Sequence, residues 1–154
     1  MEADIAALGE PDHIGILVKD VDKAVKFLSS IGFGPWQWID FVQEDDVVMV
    51  NGRTRQKIAF ANIGNTVMEV IEPIEGGGYW PDFITATNGG VNHMAFNVPN
   101  WDEMVSKFRE HGGEIVAGGI FLGKRWCYLK ANTENGNMII EFMENFGVRD
   151  VQYS

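Results

Sequence analysis

Asp12–Gly32 reads DHIGILVKDVDKAVKFLSSIG, and Asn92–Gly112 reads NHMAFNVPNWDEMVSKFREHG. Set 80 residues apart, the pairs His13/His93, Val18/Val98, Asp22/Asp102, Val25/Val105 and Gly32/Gly112 are identical. A second match follows each segment. Gly64–Glu72 (GNTVMEVIE) and Gly136–Glu144 (GNMIIEFME), 72 residues apart, repeat a Gly, an Asn and two Glu in place. Two matches in the same order mark an internal duplication, and that decides how the remaining sequence is read.

Each half reads as a strand, a helix, then further strands. His13–Val18 and His93–Val98 alternate and end in turn-forming residues, as strands do. Val21, Ala24, Val25 and Leu28 fall at i, i+3, i+4 and i+7, the stripe of an amphipathic helix, and Gly32 closes it. Trp101, Met104, Val105 and Phe108 repeat the spacing, with Gly112 at the end. Asn100 and Glu103 predict an N-cap with a box-like partner. The β-rich runs that follow are Trp36–Val42, Val47–Asn51, Lys57–Ala61 and Val67–Ile71 in the first half. In the second half they are Glu114–Val116, Trp126–Lys130 and Met138–Met143. Asn51-Gly52 is a hairpin signal. Glu75–Gly90, glycine-rich at both ends, reads as a linker with space for one helical turn at Pro81–Thr87.

The expected fold class is α+β: two paired βαβββ modules forming a cup-shaped mixed sheet. Neither module can bury an open sheet face alone, so the two share a concave space. The expected boundaries are a tail at 1–8, a first module at 9–75, a linker at 76–90, a second module at 91–146 and a tail at 147–154, all within one structural domain. A chain of 154 residues with 45% hydrophobic and 22% charged residues has the composition of a globular protein. Its net charge of −10 repels phosphate backbones, so a nucleic-acid partner is not expected. One cysteine, Cys127, allows no internal disulfide. No apolar run approaches a membrane span, and the N-terminus lacks a signal-peptide pattern. A cytoplasmic protein without a membrane partner is expected.

Four chemically active residues sit at corresponding places. His13 and His93 lie early in the first strand of each half, and Glu69 and Glu141 in the last. A carboxylate flanked by Val67-Met68 and Val70-Ile71, or by Ile139-Ile140 and Phe142-Met143, is costly to bury unless it is paired or binds a metal. A single histidine is more often a satisfied core or surface residue. Two His and two Glu duplicated in order point instead to convergence on one divalent ion of the Zn, Ni, Co, Fe or Mn type. His111 has Ile31 at the corresponding position and reads as a helix-end surface residue.

The segments DHIGILVKDVDKAVKFL, MEVIEP, GGVNHMAFNVPN and MIIEFME resemble the vicinal oxygen chelate (glyoxalase/bleomycin resistance/dioxygenase) superfamily. They are most similar to its methylmalonyl-CoA epimerase-like and glyoxalase-like members. The resemblance runs from about Glu10 to Phe146. It implies a cup around one divalent metal held by His13, Glu69, His93 and Glu141, with ligand distances of about 2.0–2.3 Å. It implies a metal-dependent isomerase or epimerase that removes a proton next to a carbonyl through a metal-stabilised enolate. The alternatives on this fold are a dioxygenase or lyase, and a non-catalytic binding or resistance protein that sequesters an aromatic ligand. Glu141 and Glu69 are the candidate bases at the metal, and Asp40 is the candidate base away from it. Trp36, Trp38, Tyr79, Trp80, Phe121 and Trp126 are candidate substrate-binding residues. They suggest a small-molecule substrate with vicinal oxygens and an aromatic or apolar group. Arg53, Arg55 and Lys57, or Lys124 and Arg125, are the basic clusters available to a CoA phosphate. The resemblance also implies a homodimer.

Overall fold

The structure is a computed structural model, described here for residues 8–44, 52–131, 134 and 136–148. Eight strands form one mixed sheet. The first half gives β1 (His13–Leu17), α1 (Val21–Ser30), β2 (Gln37–Gln43), β3 (Thr54–Ile63) and β4 (Thr66–Glu75). After α2 (Tyr79–Thr87), the second half gives β5 (Gly90–Val98), α3 (Trp101–Glu110), β6 (Glu114–Phe121), β7 (Lys124–Ala131) and β8 (Met138–Glu144). The strand order is β2-β3-β4-β1-β5-β8-β7-β6, so the second half mirrors the first across the β1–β5 seam. β1 runs parallel to β4 and β5 parallel to β8, while β1 and β5 are antiparallel. The sheet curls into the half-barrel of the vicinal oxygen chelate fold.

Local chemistry explains the helices. Asp20 caps α1, its Oδ1 accepting the Lys23 N–H at 2.9 Å. Gly32 leaves it at φ 105°, a conformation a side chain resists. The Asn100 side chain makes no capping bond on α3. The predicted capping box is therefore absent, and Glu103 instead pairs with Lys107 one turn on, at 3.1 Å. The linker holds more helix than expected, nine residues in α2. The predicted strand at Val47–Asn51 and the Asn51 half of the hairpin signal lie outside the described residues.

Three cores result. α1 covers the convex face of the first half through Val21, Val25, Ala59 and Val70. α3 does the same for the second half through Val98, Val105, Leu129 and Phe142. The third core lies on the concave face, where Leu17, Ile71, Ala95 and Met143 form its floor. Trp80 of α2 reaches into this core, its ring 6.1 Å from that of Trp126 and 5.9 Å from that of Tyr128. Among the described residues, no helix is long and apolar enough to cross a membrane.

Candidate metal centre

Strand alternation sends His13, Gly15 and Leu17 of β1 to the concave face. Across the seam His13 faces Ala95, and Gly15 faces His93. Each imidazole thus lies opposite a small residue at the equivalent position of the other half. Gly15 is needed there, because a Cβ on it would come within 2.0 Å of the His93 ring. Glu69 on β4 lies beside Gly15, and Glu141 on β8 beside Ala95. The four side chains therefore converge from the four central strands.

His13 is 1% exposed, His93 2%, and Glu69 and Glu141 6% each. His13 Nε2 lies 2.9 Å from Glu141 Oε2, 3.1 Å from Glu69 Oε2 and 3.3 Å from His93 Nε2. His93 Nε2 lies 3.1 Å from the same Glu141 oxygen. Atoms bound about 2.1 Å from one common centre lie roughly 3.0–3.5 Å apart, the spacing observed here. His13, His93 and Glu141 each offer a ligand atom, all within 4.8 Å of one another. Glu69 adjoins this triad through His13.

Both rings are oriented from behind. Asp12 Oδ2 lies 2.8 Å from His13 Nδ1, and Asn92 Oδ1 lies 2.9 Å from His93 Nδ1. With its proton on Nδ1, each ring would donate to these oxygens and direct its Nε2 lone pair at the centre, the arrangement metal-binding histidines use. The two supports are themselves held: Asp12 Oδ2 accepts the Val148 N–H at 3.1 Å, and Asn92 Nδ2 donates to the Tyr79 hydroxyl at 2.6 Å. Asp12 and Asn92 were missed from sequence. The signal was present, because a hydrogen-bonding residue precedes each duplicated histidine.

The two carboxylates differ. Burial pushes Glu69 above the ordinary carboxylate range, with His13 and His93 pulling the other way. Burial acts on Glu141 too, but His13 and His93 at its Oε2 hold it well below that range. His13 is raised well above its ordinary value: burial lowers it, and Glu69, Glu141 and Asp12 outweigh that effect. Four buried donors of N and O type with two carboxylate charges suit a borderline divalent ion.

Beside this centre opens a cleft. His13, Glu69 and Glu141 lie at its polar end, and Phe41, Ile58 and Phe60 are on its first-half wall. Of the predicted substrate-binding aromatics, Phe121 and Trp126 line the cleft. Tyr79 and Trp80 pack in the concave core behind it. Trp36 lies on the other side of the sheet under α1, its Nε1 donating to Ser29 at 2.9 Å. Trp38 is 40% exposed, with Lys57 over its ring. Asp40 likewise faces outward, bonded to Arg55 at 2.9 and 2.7 Å. The expectation that Trp36, Trp38 and Asp40 reach the cup does not fit this placement. The even positions 36, 38 and 40 face away, and Ile39 and Phe41 face in. Sequence reasoning passed over Phe41, Phe60, Tyr128 and Phe146 on the cleft wall.

A family model described as Glyoxalase/Bleomycin resistance protein/Dioxygenase superfamily matches residues 12–129. No curated protein matches. Among solved structures, the chain is similar to a hypothetical protein from Bacillus halodurans C-125, with 23% identity, 94% of this chain and 97% of that chain covered, and a TM-score of 0.64. It is similar to methylmalonyl-CoA epimerase from Mycobacterium tuberculosis, with 19% identity, coverage of 97% and 96%, and a TM-score of 0.63. It is also similar to a mutant 4-hydroxymandelate synthase from Streptomyces coelicolor, with 15% identity and a TM-score of 0.60, covering 91% of this chain and 50% of that one.

Proposed function

Because the chain belongs to the glyoxalase/bleomycin resistance protein/dioxygenase superfamily, we propose that it is a metal-dependent isomerase or epimerase that moves a proton on carbon next to a carbonyl. One observation carries this reading: His13, His93 and Glu141 bring buried ligand atoms within 4.8 Å of one another, with Glu69 beside His13 and both Nδ1 atoms held from behind, at the end of an open cleft. His13, His93 and Glu141 would hold a divalent cation, with Glu69 beside them. When bound, such an ion supplies a Lewis acid that stabilises negative charge developing on a neighbouring oxygen. The protein's own residues do the rest. Glu141 Oε2 lies 2.9 Å from His13 Nε2 and 3.1 Å from His93 Nε2, which makes it the anchored carboxylate. Glu69 meets only His13 in this set, and its raised proton affinity suits a base that takes a proton and returns it. The apolar walls exclude water and bind the rest of the substrate.

The absence of any Lys or Arg from the cleft wall, among the described residues, favours a small carbonyl compound with an aromatic or apolar group over a CoA thioester. The same reading has the protein acting in the cytoplasm, as the sequence leads one to expect, and as a homodimer, as the family resemblance implies. The test is proton exchange. Metal-loaded protein in D2O, followed by NMR, should introduce deuterium at the carbon next to a carbonyl in a panel of dicarbonyl compounds and thioesters, without oxygen uptake. Turnover coupled to oxygen consumption would place it with the oxygenases instead. Tight binding with neither exchange nor turnover would make it a sequestering protein.

A further inference from the structure

We propose that Gln56 is a substrate-binding residue, its amide donating a hydrogen bond to a neutral acceptor oxygen, carbonyl or hydroxyl, on an otherwise apolar substrate. The proposal rests on the cleft being the substrate site. Gln56 lies on β3, is 4% exposed, and lines the cleft among Ile39, Phe41 and Ile58. Its Nε2 is buried and, among the described residues, has no hydrogen-bond partner. Besides the His13, Glu69 and Glu141 end, the Trp126 indole N–H and the Tyr128 hydroxyl, Gln56 is the one polar side chain on this wall among the described residues. A buried amide donor without an acceptor destabilises the free protein, whereas an apolar side chain of the same shape would not.

The backbone around Gln56 is also irregular. The β3–β4 register shifts between Arg55 and Gln56, so that Arg55 faces Glu75 and Gln56 faces Pro73. Such bulges re-aim side chains and recur beside binding sites. The neighbouring cations do not reach the cleft wall. Arg55 is bonded to Asp40 on the outer face, and Arg53 to Glu44 and Glu75. A neutral amide in an apolar wall, close to two carboxylates and without a cation, selects an uncharged oxygen rather than a phosphate or sulfonate.

The experiment compares metal-loaded wild type with Gln56→Met, a change of similar volume. Binding of 1-phenyl-1,2-propanedione, a neutral aromatic vicinal dicarbonyl, is read by quenching of tryptophan fluorescence, with metal content and Tm measured alongside. We expect saturable binding to wild type, at least about tenfold weaker binding to Gln56→Met, unchanged metal content and a higher Tm. Equal binding by the two proteins, no saturable binding to wild type, or a lower Tm in the variant would overturn the proposal. The reaction assignment fails separately: loss of binding in Gln56→Met with no proton exchange by wild type would leave Gln56 in place and remove the isomerase reading.

Discussion

The two halves of the molecule hold their scaffolds with the same devices and differ where substrate would lie. On the outer face, Lys57 of β3 donates to Asp22 at the start of α1 at 2.6 Å, and Arg125 of β7 donates to Asp102 at the start of α3 at 2.8 Å. Glu72 and Glu144, paired by the duplication, both stay in these outer networks. Glu72 accepts the Val21 N–H at 2.9 Å, and Glu144 accepts from Arg125 at 2.7 Å. On the concave face the symmetry breaks. Trp80 and Tyr79 of α2 pack against Trp126 and Tyr128 of the second half. The first-half wall of Ile39, Phe41, Ile58 and Phe60 faces the cleft without a helix of its own. Glu141 serves two histidines where Glu69 meets one. Duplication thus explains how ligand-type residues come together, and the departures from it mark where chemistry can be specific.

The largest test of that contrast exchanges the two carboxylates for amides. Glu69→Gln should lower turnover by about 10²–10⁴-fold while retaining most of the metal, because a proton acceptor is lost. Glu141→Gln should lose metal as well, because its Oε2 is shared by both histidines. Equal metal loss in the two variants, read by elemental analysis, would erase the proposed division of roles.

The next test breaks the seam. Gly15→Ala should weaken metal binding by about 10–100-fold by displacing the His93 ring, although it touches no ligand bond directly. Ala95→Gly, the mirrored change opposite His13, removes a methyl and displaces nothing, and should leave metal binding close to wild type. Titration of both variants with Co²⁺, followed by absorbance, separates them.

A smaller effect sharpens the outer-face comparison. Arg125 holds the Glu144 carboxyl down to about 2 in the folded protein, against an ordinary value of 4.5. A depressed carboxyl contributes stability above its unfolded value and loses it as pH falls. The contribution is therefore fully present above about pH 4.5 and disappears toward pH 2. Glu144→Gln should flatten that part of the acid-unfolding profile and leave neutral-pH turnover unchanged. The smallest effect is that of Asp40→Asn. Asp40 is bonded to Arg55 outside the cup, so the variant should turn over like wild type. A large loss of turnover would restore Asp40 as a base.

Much of this was legible in the sequence because it is periodic. The duplicated His and Glu, the helix stripes and the closing glycines are local patterns that tertiary packing leaves in place. The strand faces of β2 were harder to read. Trp36, Trp38 and Asp40 look like pocket residues by type, but the fold fixes the phase of a period-two pattern, and a shift by one residue moves every side chain to the other face. The glycines at both ends of the linker point to a loop, whereas burial of Trp80 against Trp126 stabilises a full helix in α2. Gln56 carried no sequence signal at all. Its burial, and its lack of a partner among the described residues, depend on the phase of β3 and its pairing with β4, which the sequence alone does not show.

The central claim is that the two repeats build one metal centre from residues of both. Elemental analysis of the purified protein beside His13→Ala and His93→Ala, with far-UV circular dichroism to confirm folding, tests it most directly. We expect one divalent ion per wild-type chain and loss of that ion in each folded variant, although the two histidines lie 80 residues apart. Full metal content in either folded variant, or a wild-type protein that binds no divalent ion on titration, would contradict it.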